Sequence, residues 1–172
     1  MTDSIDPAAF EARFADYLSH LGGVDVAALA SVLERRPVRS GDVLISQGAP
    51  HGELLFVDSG ILDVTVANAS ETPHTVASLE AGAVVGEVGV LAPGPATATV
   101  SCAGAGVVFA LRSSALDALW SQHPAVASSL VQALCQVMAR RIRSVEGDLD
   151  RLHDHERGRL GDLLNRLFGR AA

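Results

Sequence analysis

Between Val38 and Arg112 the apolar runs are short, and most are bounded by glycine-bearing turns at nearly regular spacing. Val43-Leu44-Ile45 lies between Ser40-Gly41 and Gln47-Gly48, and Leu54–Val57 lies between Gly52 and Ser59-Gly60. Leu62, Val64 and Val66 alternate with Asp63, Thr65 and Ala67, and Val76 and Leu79 precede Glu80-Ala81-Gly82. Thr97, Thr99 and Ser101 alternate with Ala98, Val100 and Cys102, before Val107, Phe109 and Leu111 close the series. Alternation with period two between regularly spaced turns predicts short antiparallel strands wound into a roll or barrel.

The flanks have helical periodicity. Asp6-Pro7 supplies an N-cap and a first-turn proline, and Phe10, Phe14, Tyr17, Leu18 and Leu21 follow three or four apart up to Gly22-Gly23. Asp25 opens a second helix with Val26, Leu29, Val32 and Leu33, expected to stop before Pro37. After the strands, Ser113-Ser114 caps a helix holding Leu116, Leu119 and Trp120, broken at His123-Pro124. Pro124 opens a long helix with Val126, Leu130, Leu134, Met138, Ile142, Val145, Leu149 and Leu152 in a stripe. From Met138 the spacing alternates four and three, as in a coiled-coil seam, which continues through Leu160, Leu163 and Leu167. Gly147, Gly158 and Gly161 predict a break or fraying somewhere in 147–161. The stripe outlasts the surface of one small roll, so a two-fold dimer contact is expected, with packing on the roll as the alternative.

A chain of 172 residues with 48% apolar and 19% charged residues suits one core with a helical appendage. The net charge of −7 does not suit a protein whose main partner is nucleic acid. The acidic start, Met1 to Asp6, has no signal-peptide pattern, and no apolar run is long enough to cross a bilayer, so a cytoplasmic setting is expected. Cys102 and Cys135 both lie in apolar stretches and read as buried small hydrophobes, not as a disulfide or metal pair.

Within the strand region, Val85-Gly86-Glu87-Val88-Gly89 runs through a Gly/Pro turn into Pro95-Ala96-Thr97-Ala98-Thr99-Val100. Glu87 is a lone carboxylate among residues that read as buried, and a buried carboxylate needs donors. The N–H groups of a turn around Gly86, Val88 and Gly89 can hold an anion. Together these suit a phosphorylated sugar, amides on the phosphate and Glu87 on a ribose hydroxyl. A glycine-rich β-turn whose Glu87 faces water is the competing reading.

The order of two helices, a roll, a short helix and a long one resembles the cyclic-nucleotide-binding domain of bacterial regulators, kinase regulatory subunits and channels, over roughly residues 10–146. Gly41-Asp42-Val43-Leu44-Ile45, Gln47-Gly48, Leu55-Phe56-Val57 and Ser59-Gly60 stand in the family's order and spacing. The resemblance implies an antiparallel double-stranded β-helix, or jelly-roll: mainly β, with N-terminal helices and a long C-terminal one. It divides the chain into a helical segment at 1–37, a roll at 38–112 with a phosphate-binding cassette at 85–100, helices at 113–150, and an amphipathic basic tail at 151–172. It implies that Glu87, after Gly86, binds a ribose 2′-hydroxyl, and that the Val88 amide, beside Gly89, meets a cyclic phosphate. Pro95 matches the proline before the cassette arginine, and Thr97 and Thr99 match the small polar positions after it, with threonine at 97 common in relatives that favour guanine. The implied ligand is cyclic AMP or cyclic GMP, with no cofactor and no metal.

Two positions depart from that pattern. The family's phosphate-binding arginine falls on Ala96, and no other Arg or Lys lies between Arg39 and Arg112. Only about 20 residues follow Asp150, too few for the winged helix-turn-helix of the family's transcription factors. Arg151, Arg157, Arg159, Arg166 and Arg170 make that tail locally basic, diluted by Asp154, Glu156 and Asp162, which favours seam extension or partner docking over contact with a membrane surface.

The expected function is a non-catalytic bacterial sensory module that signals through its C-terminal helix to an effector protein not written in this sequence. The alternative is a degenerate member that binds no nucleotide and serves as a dimeric scaffold or adaptor. A metal enzyme on a related roll is the remaining reading, since Gly48, His51, Glu53 and Gly60 loosely match the first cupin motif. The second cupin motif is missing, and His74 is the roll's only other histidine. His153-Asp154-His155-Glu156 looks metal-like, but residues two apart on a helix point to different faces.

Overall fold

The structure, a computed structural model, describes residues 4–18, 23–67 and 72–143. Asp6 caps α1 (Pro7–Arg13) by accepting a hydrogen bond from the Ala8 amide, with Pro7 in the first turn as expected. A short α2 (Ala15–Leu18) and α3 (Gly23–Ser31) follow. The strands are β1 (Glu34–Val38), β2 (Val43–Ile45), β3 (Pro50–His51), β4 (Glu53–Ser59), β5 (Leu62–Val66), β6 (His74–Leu79), β7 (Val84–Val85), β8 (Gly94–Pro95), β9 (Thr99–Cys102) and β10 (Gly106–Arg112), with a short helix α4 (Glu87–Leu91) between β7 and β8. Then come α5 (Ser113–Gln122) and a helix α6 over 124–143, restarted after His123 as Pro124 requires.

One antiparallel sheet has the order β1-β10-β4-β7, a second β2-β9-β5-β6, and β3 pairs with β8 as a separate ribbon. This is the predicted double-stranded β-helix with flanking helices. Strands β4 and β10 run down the middle of the first sheet and are buried on both faces. Leu54, Phe56, Phe109 and Leu111 face α1, α3, α5 and the first turns of α6, and Leu55, Val57, Val108 and Ala110 face the second sheet. Burial on both sides is why these strands read as continuous apolar runs instead of alternating.

Phe10 and Phe14 anchor the N-terminal helices to that sheet. The Phe10 ring lies 4.9 Å from Phe14, 5.3 Å from Phe56 and 5.7 Å from Phe109, tilted or edge-on, the geometry aromatic quadrupoles favour. Residues 1–134 form one compact unit, and residues 135–172 form a second, of which 135–143 are described as helix. The stripe positions from Val145 onward, the 147–161 break and the basic tail lie outside the described residues.

Several expectations are corrected. The chain enters β structure at Glu34, not after Pro37. Pro37 is tolerated because β1 is an edge strand, paired only with β10. Gly86 to Leu91 is not a plain turn, since Glu87–Leu91 closes one turn of helix with Val90 N–H bonded to Gly86 O at 3.1 Å. The edge strand β6 is exposed along most of its length, Val76 included, at 53%. On α5 Leu116 and Leu119 are buried and Trp120 is exposed. Cys102 is buried as expected, and Cys135 is exposed.

Candidate functional site

The segment from Gly86 to Thr99 has two limbs, and a single stretch, Gln47 to Glu53, backs both. The first limb is α4. Gly86 enters it at φ +93°, where a Cβ would overlap Glu53 O, so only glycine fits. Glu87, the first helical residue, is 6% exposed, the only charged side chain in the core among the described residues, and it is engaged within the protein. It does not face water. The N-cap of α4 is Gly86, which has no side chain with which to cap that turn.

The second limb is zipped to the Gln47–His51 stretch. Pro95 pairs with Pro50 and Gly94 with His51 across the β3–β8 ribbon. Ala96 N–H donates to Ala49 O at 2.8 Å, and Gly48 N–H donates to Ala96 O at 2.8 Å. The Thr99 hydroxyl oxygen accepts from Gln47 N–H at 3.1 Å, and keeps its own hydrogen to donate. The Gln47 side chain clasps Ala67 with both amide atoms, at 2.8 and 3.0 Å. Of the residues singled out in the sequence, Val88, Pro95 and Thr97 are exposed, Gly86, Gly89, Ala96 and Thr99 are half-buried, and Glu87 is buried. Ala96 packs against the inner apolar cluster of Ile45, Val85 and Val100, beside Leu44 and Val64.

Sequence reasoning did not attach His51 to this site. Its Nε2 lies 2.6 Å from Glu53 O, and its ring lies against the glycines of the first limb. No sequence signal marks that contact, because it joins residues 35 positions or more apart through strand pairing. Glu53 leads outward to charge instead. Arg36 donates to both its carboxylate oxygens, at 3.0 and 3.2 Å, Arg112 stands 3.3 Å away, and Glu34 bridges Arg112 at 2.9 Å. Hydrogen bonding to Arg36 holds the Glu53 carboxyl below its usual range and raises Arg36 in turn. His51 and Glu53 are thus committed elsewhere and do not form the cupin metal site. Among the described residues no three His, Cys, Asp or Glu converge as metal ligands. Burial and the nearby Asp42 push the Cys102 thiol up, away from reactivity.

The structure is thus a jelly-roll that buries one glutamate at the head of a one-turn helix, with helices before and after the roll. The model of the cyclic nucleotide-binding domain family matches residues 35–123, more than half of the chain, and the chain belongs to that family. It is similar to acetyltransferase Pat of Mycolicibacterium smegmatis, at 37% identity over 75 residues, which is 44% of this chain and 22% of that protein. The chain spans 22% and 32% of the length of two curated relatives it matches. Among solved structures, a cyclic nucleotide-binding domain from Methylobacillus flagellatus superposes with a TM-score of 0.74 at 21% identity, covering 80% of each chain. The catabolite activator protein of Thermus thermophilus superposes at 0.71 with 26% identity, covering 80% of this chain and 63% of that one. Among the described residues no helix is long and apolar enough to cross a membrane.

Proposed function

We propose that this domain is a non-catalytic cytoplasmic sensor that binds a cyclic nucleotide, cyclic AMP or cyclic GMP, in the segment 86–99. Glu87 accepts the ribose 2′-hydroxyl, the amides of Val88 and Gly89 meet the phosphate, and Thr97 and Thr99 reach the base side. The burial of Glu87 carries the reading, since a carboxylate is kept in a core only where polar chemistry repays its desolvation. Ligand held there shifts the resting position of α4 and, through the helix break at His123, the helix that follows, which a separate effector protein reads. Isothermal titration of the full chain with each nucleotide tests this. Micromolar binding that disappears in Glu87→Ala supports sensing, and no heat up to millimolar ligand removes it.

A scaffold without nucleotide is the second reading, and Ala96 favours it. Where relatives place a guanidinium on the phosphate, this chain has a methyl group packed on the apolar cluster. In either reading the chain is expected to pair with a second copy through its C-terminal helix, and contact of the tail with a membrane surface is not required.

A further inference from the structure

We propose that His51 is a positioning residue that fixes the resting geometry of the 86–95 loop by holding both limbs at once. Its backbone is in register with Gly94 in the β3–β8 ribbon, at the end of the loop. Its ring lies against the beginning. A Cβ on Gly89 would stand 2.7 Å from His51 Cδ2, and one on Gly86 would stand 2.9 Å from His51 Nε2. Both glycines are therefore in contact with the imidazole across the space where other residues carry side chains.

The hydrogen bond adds direction to this packing. A carbonyl only accepts, so Nε2 carries the hydrogen and donates to Glu53 O at 2.6 Å. That same carbonyl faces Gly86 at the point where the chain turns into α4. The ring thus lies between the start of β4, to which it is bonded, and the start of α4, against which it packs. The groups around it are those of the neighbouring strands: the Glu53 carboxylate is held by Arg36 and Arg112, and Gly52 O accepts from Ser113 N–H at 2.8 Å, joining the same stretch to the first turn of α5. This role goes beyond the nucleotide reading and does not depend on which ligand binds.

Hydrogen exchange of the unliganded full chain tests it. The Val90 and Ala92 amides, bonded to Gly86 O and Val88 O at 3.1 and 2.8 Å, report on the loop, and the Phe56 and Phe109 amides report on the central sheet. His51→Ala is expected to speed exchange at Val90 and Ala92 roughly tenfold and leave Phe56 and Phe109 unchanged. His51→Gln, which restores a donor of similar reach, is expected to return them toward wild-type rates, while His51→Phe, which fills the space without a donor, is not. Should the alanine variant fail to fold, the Gln and Phe variants decide. Equal exchange at Val90 and Ala92 in those two, or acceleration that also appears at Phe56 and Phe109, overturns the proposal.

Discussion

In the proposed nucleotide reading, Ala96 is the residue that limits contact with a phosphate. Its methyl group sits on the inner apolar cluster while its N–H and C=O are both used in holding the loop to Ala49 and Gly48. A substitution there leaves the backbone groups that make those bonds in place. Ala96→Arg is therefore expected to tighten or create cyclic-nucleotide binding by roughly ten- to a hundredfold, since a charge-assisted hydrogen bond contributes about 1.5–3 kcal/mol. An unchanged titration in that variant would mean that the pocket is closed or reshaped. Gly89 shows the opposite limit. A Cβ there would also stand 2.9 Å from His51 O, which cannot swing aside as a side chain can. Gly89→Ala is expected to cost about 1–3 kcal/mol in urea denaturation, as overpacking does.

Among the elements, the sheet built on β4 and β10 does two jobs. Its two faces fill two apolar clusters, and its end carries the ring of Glu34, Arg36, Glu53 and Arg112 across three strands. The Glu53 carboxyl, hydrogen-bonded by Arg36, titrates lower in the fold than the usual 4.5 of an unfolded chain. The stability it adds is thus complete above that value and is lost as the pH falls through the lower, folded value. Glu53→Gln is expected to flatten the acid limb of a melting-temperature profile below about pH 4.5. An unaltered acid limb would show that the ring adds no net stability. The helix α1 depends on aromatic packing, with Phe10 2% exposed against three other phenyl rings. Phe10→Ala is expected to cost about 3–5 kcal/mol, read by chemical denaturation.

For the whole molecule the expectation concerns the oligomeric state. Val126, Leu130 and Leu134 of the stripe are buried within the first unit, while Ile142, in the second, is 57% exposed. An exposed apolar residue on that stripe suits the two-fold contact expected from the sequence. The chain is expected to run as a dimer in multi-angle light scattering, and a monomer at high concentration would remove the seam as an interface.

The sequence by itself determined the roll, its turns and the order of its helices, because alternation, glycine turns and the Asp6-Pro7 cap are local signals whose geometry needs no distant partner. It also marked Glu87, as a charge in an apolar run. Only the tertiary structure decided that Pro37 lies in a strand, that Glu87 is buried, and that Gln47 to Glu53 backs both limbs of the loop. His51 is the clearest case. Its partners are Gly86, Gly89 and Gly94, and nothing in the run Pro50-His51-Gly52 announces them. Pairing between strands far apart in the chain creates those contacts, and pairing depends on the register that the packed sheets select.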